Sequence, residues 1–194
     1  MTNISPLNFV HTIGKFGDYD GKQENDLLKV KEVNGLLIFQ IAKYKNSNFD
    51  LSKIKIDGLN LPSTLKSSSN LNTRILWLGP DNWLVFSSIL DLIVKEKKQF
   101  DEADFAITNI SHSRTIIELE GNLVNEVLKK GCPLDVNTFK EGDCANSVYN
   151  GITITIDFIS NKPNKVRILG LRSFSESLYH SITDACLEFG YKAI

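Results

Sequence analysis

The chain has 194 residues, 42% hydrophobic and 23% charged, with a formal net charge of -1. That balance fits a soluble globular protein of one domain, or two small ones, long enough to bury a core. Interspersed charges exclude the basic footprint of a nucleic-acid binder, and no apolar run approaches the roughly 18 residues of a membrane span.

The first 17 residues, "MTNISPLNFVHTIGKFG", lack a basic start followed by an apolar stretch, so no secretion signal is expected. Residues 1–26 are polar and aperiodic and read as an N-terminal arm, ordered against a partner. Residues 27–194 then read as one domain, divisible into two α+β subdomains sharing a core. "LLKVKEVNGLLIFQIAKYK" gives two strand-like runs around Asn34-Gly35, a pair that tolerates the positive φ of a hairpin turn. "FDLSKIKIDGLNLPSTL" allows a short helix over Leu51 to Ile56, closed by Pro62. "RILWLGPDNWLVFS" predicts a second hairpin, with Pro80 at the second turn position and Asp81 and Asn82 after it. Apolar residues at 89, 90, 92, 93 and 100 suit a short helix with a basic C-terminal half.

"FAITNIS" and "RTIIELE" read as strands. Asn122 is placed to cap a helix through Leu128, with Leu123 and Val124 on one face and Gly131 as its stop. Ile152, Ile154, Ile156 and Phe158 alternate as one buried face of a strand, and "KVRILGL" is another. The last helix has Ser173 and Glu176 as a capping box. Its apolar stripe is Phe174, Leu178, Ile182, Ala185 and Phe189, and Gly190 ends it. The fold class expected is α+β, with helices on one face of a largely antiparallel sheet.

"KKGCPLDV" sets Cys132 between bases and a carboxylate. A nucleophilic cysteine needs a base or a positive field. Here the preceding helix presents its partially negative end, and lysines in a last turn turn to carbonyls and water. Cys132 therefore reads as a compact apolar filler in a turn, with Asp135 holding the loop through backbone N–H groups. Three cysteines, 132, 144 and 186, without CxxC, point to a reducing compartment rather than disulfides. The N-x-S matches at Asn3 and Asn109 then carry little meaning. His11, His112 and His180 are scattered and without a ligand motif, so a composite zinc site is the weaker reading. "SHSR" offers either an anion contact through Arg114 or residues that satisfy backbone groups at a strand junction. Asp101, Glu102 and Asp104 form a solvated loop. Trp77 and Trp83 serve packing or anchor a protein interface, and Arg172 suits a buried ion pair. No GxSxG, phosphate loop or GxGxxG is present, which speaks against a flavin or nicotinamide site built by this chain alone.

"LWLGPDNWLV", "ISHSRTIIELEG", "VLKKGCPLDV", "GDCA" and "LRSFSESLYHSITDACLEFG" in this order resemble the gamma subunits of heterotetrameric sarcosine oxidases. The resemblance runs from about Leu27 to the C-terminus and is loose over residues 45–72. It implies a cytoplasmic complex with alpha, beta and delta subunits that carries FAD, FMN, NAD, tetrahydrofolate and zinc on those other chains. It implies no catalytic, cofactor or metal residues in this chain, and no nucleic-acid or membrane partner. The complex demethylates sarcosine oxidatively to glycine, with the one-carbon unit passing to tetrahydrofolate and electrons to oxygen. The positions singled out as interface or structural motif are Trp77, Gly79, Pro80, Asp81, Trp83, Arg114, Gly131, Cys132, Asp135 and Arg172.

More distantly, "NISHSRTIIELEGNLVNEVLKKGCPLDV" is similar to a segment of the glycine-cleavage aminomethyltransferases and implies their folate-binding fold. Those enzymes carry paired acids in the next hairpin. Here Thr153 to Ile156 stand in their place and Asp157 comes too late, so a working folate site is not expected. The alternatives are a standalone one-carbon folate-binding or aminomethyltransferase-like protein and, more weakly, an unrelated adaptor of the same fold class.

Overall fold

The computed structural model describes residues 4–194. The Asn3 sequon lies outside them. The chain divides into two compact units, residues 4–34 with 113–194, and residues 35–112. Each buries an apolar cluster.

The first unit holds β1 (Gly14–Phe16), β2 (Leu28–Glu32), β10 (Arg114–Glu120), β11 (Cys144–Tyr149), β12 (Ile152–Asn161), β13 (Asn164–Leu171) and β14 (Tyr191–Ala193). They form one sheet in the order β1-β14-β2-β10-β13-β12-β11. All its pairs are antiparallel except β14 with β2. Two helices, α2 (Val124–Gly131) and α3 (Ser175–Leu187), supply buried side chains to the same cluster as one face of this sheet. Strand alternation explains the division of faces. Ile117 and Leu119 enter the core, while Glu118 and Glu120 point to the other side. There Glu120 pairs with Lys29 at 2.9 Å and Lys165 at 2.6 Å, and Glu118 with Arg167 at 2.8 Å.

The second unit is an antiparallel sheet in the order β6-β7-β8-β3-β9. These are β3 (Leu37–Lys43), β6 (Ser67–Ser69), β7 (Thr73–Gly79), β8 (Asn82–Ser87) and β9 (Phe105–Asn109). A ribbon of β4 (Lys55–Ile56) and β5 (Leu59–Asn60) and the short helix α1 (Leu92–Glu96) complete it. Phe105 centres an aromatic group, with Phe49 and Phe100 edge-on at 5.2 and 5.3 Å. Among the described residues no helix is long and apolar enough to cross a membrane.

Several local expectations change. Gly35 does take a positive φ, but β2 and β3 belong to different sheets, so Asn34-Gly35 passes the chain between units instead of closing a hairpin. The helix expected over 51–56 is a 3-10 turn, Leu51–Lys53, and the two-strand ribbon turns at Asp57 and Gly58, both with positive φ. Asn122 does not cap α2. The N-cap is Leu123, whose side chain is exposed, and Val124 N–H reaches the Gly121 carbonyl. The capping box at Ser173 does not form either. Ser173 lies in a 3-10 turn, α3 starts at Ser175, and the Ser175 hydroxyl donates to the Pro6 carbonyl at 3.0 Å.

Residues 4–26, read as an arm, are built into the first unit. Leu7 is fully buried, β1 pairs with β14, and Ser5 donates to Glu32. His11 is held from both ring nitrogens, Nδ1 at 2.8 Å from the Tyr179 hydroxyl and Nε2 at 3.1 Å from the Ile194 carbonyl. A carbonyl can only accept, so in the neutral ring Nε2 carries the hydrogen and Nδ1 accepts from Tyr179.

Candidate functional site

The hairpin of β7 and β8 carries five of the motif positions. Trp77 stands across from Trp83 in the register, and the turn between the strands contains Gly79, Pro80 and Asp81. Proline sets its own φ, and Asp81 accepts the left-handed conformation at φ 55°, which a short polar side chain tolerates. The turn is tied to β3. Lys43 N–H donates to the Asp81 carbonyl at 2.9 Å, the Lys43 ammonium lies 3.7 Å from the Asp81 carboxylate, and Gln40 donates to Asn82. Trp83 is buried, with its indole N–H on the Pro62 carbonyl at 3.0 Å, while Trp77 is half-buried. The two indoles, Pro62, Leu51 and Leu61 wall an open cleft of about 610 Å³, with Asp81 at its rim.

The turn after α2 holds Gly131, Cys132 and Asp135. Gly131 is the last helical residue, and its φ is not left-handed. A glycine is needed for space, because a Cβ there would stand 2.7 Å from the Tyr149 ring. Cys132 is 5% exposed within the core cluster, 3.3 Å from the Ser147 hydroxyl. Neither lysine serves it. Lys129 pairs with Glu126, and Lys130 reaches the Ala185 carbonyl, Glu188 and the Phe189 ring. Asp135 accepts from the Asn137 N–H at 3.3 Å, capping a 3-10 turn. Of the other cysteines, Cys186 has its thiol pushed up to about 12 by burial. The geometry favours filling and turn-making over nucleophilic chemistry.

Arg114 opens β10 opposite Leu171, the last residue of β13, and Arg172 follows it. The Arg172 N–H donates to the Ser113 carbonyl at 2.9 Å, and its guanidinium to the Ile4 carbonyl at 2.6 Å. The two arginines are thus brought to one corner of the first unit. The buried ion pair expected for Arg172 is replaced by this carbonyl contact. Ser111 exchanges hydrogen bonds with the backbone of Ile38, the backbone-satisfying role expected for that junction, whereas His112 is exposed. In β12, Ile154 and Ile156 point into the core. Asp157, buried, faces Arg167 in the register on the opposite side of the sheet. No group of three His, Cys, Asp or Glu side chains is gathered for a metal ion among the described residues.

These motif residues all fall within residues 45–188, which match the sarcosine oxidase gamma subunit family. The chain belongs to that family. Two curated relatives are gamma subunits of sarcosine oxidase from Corynebacterium. That of strain U-96 is 27% identical over 138 residues, 68% of this chain and 66% of the relative. That of strain P-1 is 28% identical over 128 residues, 63% of this chain and 61% of the relative. The matches therefore span just under two thirds of those relatives' length. A chain of the heterotetrameric sarcosine oxidase of Corynebacterium sp. U-96 superposes with a TM-score of 0.82 at 22% identity, over 97% of both chains. Aminomethyltransferase T of the glycine cleavage system of Bartonella henselae superposes with a TM-score of 0.64 at 11% identity, over 88% of this chain and 48% of that one. The fold is the α+β fold these proteins share.

Within the gamma subunit family frame, two features escaped the sequence reading. Tyr149, whose hydroxyl donates to the Val127 carbonyl, explains the Gly131 position, but the contact joins residues far apart in sequence. The outward side chains of Ile4, Leu171 and Phe174 were invisible because an apolar residue in a periodic pattern reads as core.

Proposed function

We propose that the chain is the gamma subunit of a heterotetrameric sarcosine oxidase and contributes structure rather than chemistry to it. The family match over residues 45–188 carries this reading. The complex converts sarcosine to glycine, giving methylene-tetrahydrofolate and hydrogen peroxide from tetrahydrofolate and oxygen. FAD, FMN, NAD, tetrahydrofolate and zinc reside on alpha, beta and delta subunits, in the cytoplasm. A structural role is supported by β12, where the positions of the aminomethyltransferase acids hold threonines and buried isoleucines. It is also supported by the cleft of the second unit, whose lining includes a single carboxylate, Asp81, beside Lys43. A folate-orienting carboxylate has to be free to meet its target. The β7–β8 hairpin, through the half-buried Trp77, and the N-terminal segment, through the exposed Phe9, are the surfaces assigned to partners, because rigid aromatics are enriched at interfaces.

Co-expression with the flavin-bearing and alpha subunits, followed by size exclusion, tests this. Co-elution with an alpha or beta chain is expected. A chain that never co-elutes, yet binds folate alone, overturns the subunit reading in favour of a standalone one-carbon folate-binding protein.

A further inference from the structure

The five-stranded sheet of the second unit ends on β9, whose outer side no strand covers. Natural edges are blunted by shortness, charge, proline or a bulge. The opposite edge, β6, is three residues long. β9 reads Phe-Ala-Ile-Thr-Asn, holds neither a charge nor a proline, and keeps an unbroken register with β3. The ladder fixes which of its backbone groups are open. Tyr44 N–H donates to the Asp104 carbonyl, and Ile110 N–H to the Ile38 carbonyl. Bonded pairs alternate along an antiparallel ladder, so Ala106 and Thr108 turn their backbone groups to β3. Phe105, Ile107 and Asn109 turn theirs outward. The Phe105 N–H is taken up by the Asp101 carbonyl. Among the described residues, the N–H and C=O of Ile107 and the backbone N–H of Asn109 have no protein partner.

A cleft of about 450 Å³ lies beside these groups, lined by Phe105, Ala106 and Ile107 of the strand together with Tyr44, Ile93 and Phe100. Phe105 and Ile107 belong to the sheet face that carries the apolar cluster, and Ala106 to the other face. A cavity lined from both faces lies off the strand edge. Lys97 and Glu102 stand at its rim, one of each sign and 3.8 Å apart, so the cleft selects for apolar shape over charge. An added strand would satisfy the outward groups with its own backbone and set alternate side chains on the cleft side. A second copy of β9 does not suit. Its Phe105 is buried in its own cluster and its Ile107 packs there too, which leaves no side chain to fill the cleft.

We propose that β9 receives an extended segment of another oxidase subunit as a sixth strand, with apolar side chains at alternate positions filling the cleft against Ile93, Phe100 and Ile107. The proposal rests on the subunit reading above and adds a surface to the hairpin and the N-terminal segment. Main-chain hydrogen bonds supply its affinity, and the alternate side chains its selectivity.

Amide hydrogen exchange of the purified chain, alone and reassembled with the purified remainder of the complex, tests it. In the chain alone, the Ile107 and Asn109 amides are expected to exchange fast, and those of Ala106 and Thr108 slowly. Reassembly is expected to slow Ile107 and Asn109. Two variants extend the test. Ala106→Lys sets on the edge the kind of charge that blunts natural edges. Asn109→Pro removes one outward donor and leaves the bonds to β3 in place. Each is expected to raise the Kd for the remainder of the complex by about tenfold or more, with a thermal melt of the isolated chain recording that the fold is kept. A complex whose Ile107 and Asn109 amides exchange as they do in the free chain overturns strand addition, as do Kd values within twofold of wild type for both variants. Slow exchange already in the isolated chain overturns it too, and a dimer on size exclusion then names a second copy as the occupant. A wild-type chain that binds no other subunit overturns the subunit reading itself, a separate outcome.

Discussion

The Tyr149 hydroxyl donates to the carbonyl of Val127 at 2.9 Å, which brings the edge strand β11 under helix α2. The ring fills the space that a side chain at Gly131 would take. Gly131→Ala should therefore destabilise the chain by about 1–3 kcal/mol, the usual cost of overpacking. Tyr149→Phe, which loses only the hydrogen bond, should cost about 1 kcal/mol. Because the two positions touch, Gly131→Ala combined with Tyr149→Leu should cost less than the two single changes added together. Urea unfolding of the four variants checks this, and strict additivity would refute the contact.

Cys132→Ser should leave assembly and turnover of the complex near wild type. The new hydroxyl takes the place of a sulfur already 3.3 Å from the Ser147 hydroxyl. The cost in stability should stay near 1 kcal/mol. Loss of turnover with assembly intact would return Cys132 to a chemical role. Cys186, its thiol pushed up to about 12, should resist iodoacetamide at pH 8 until the chain unfolds, as mass spectrometry of labelled peptides would show.

Glu120 lies between Lys165 and Lys29, whose hydrogen bonds hold its carboxyl below the usual glutamate range. A carboxylate depressed in the folded state stabilises above its unfolded pKa, and that stability is lost as pH falls through the folded value. Lys165 is raised in turn by Glu120, so its share is present below the unfolded lysine value and lost as pH rises through the folded one. Glu120→Gln should therefore lower Tm at neutral pH and flatten the acid limb of a Tm–pH curve below about pH 4.5. An acid limb identical to wild type would refute the linkage.

Among the described residues, Thr115 Oγ1 is the buried side-chain polar atom without a hydrogen-bond partner. Thr115→Val keeps the shape and removes the unpaired hydroxyl. Stability should be unchanged or rise by up to about 1 kcal/mol. A loss of more than that in thermal or urea unfolding would mean that the hydroxyl has a partner.

Local signals in this sequence were reliable about conformation and silent about destination. Gly35 adopts the turn φ expected of it, yet the runs beside it enter different sheets. Lys55 and Ile56, at the end of the helix expected over 51–56, instead enter a ribbon that turns at Asp57-Gly58, because two two-residue strands leave too short an alternation to read. Leu178, Ile182 and Ala185 are buried as the periodicity of the last helix requires, but Phe174 in the same series faces outward because α3 starts one residue later. At the candidate site, Pro80 and Asp81 were legible from turn chemistry. The nearness of Arg114 to Arg172 was not, since it depends on the pairing of β10 with β13.

The parallel pairing of β14 with β2 sets an order on synthesis. Leu28 and Val30 meet Tyr191 and Ala193, and on its other side β2 pairs with β10, Val30 opposite Leu119. A nascent chain exposes β2 early and can pair it only after most of the polypeptide has left the ribosome. Residues 35–112, by contrast, hold every strand of their own sheet. Strand β2 therefore spends much of translation as an unsatisfied edge, the kind of surface that invites chaperones or wrong partners.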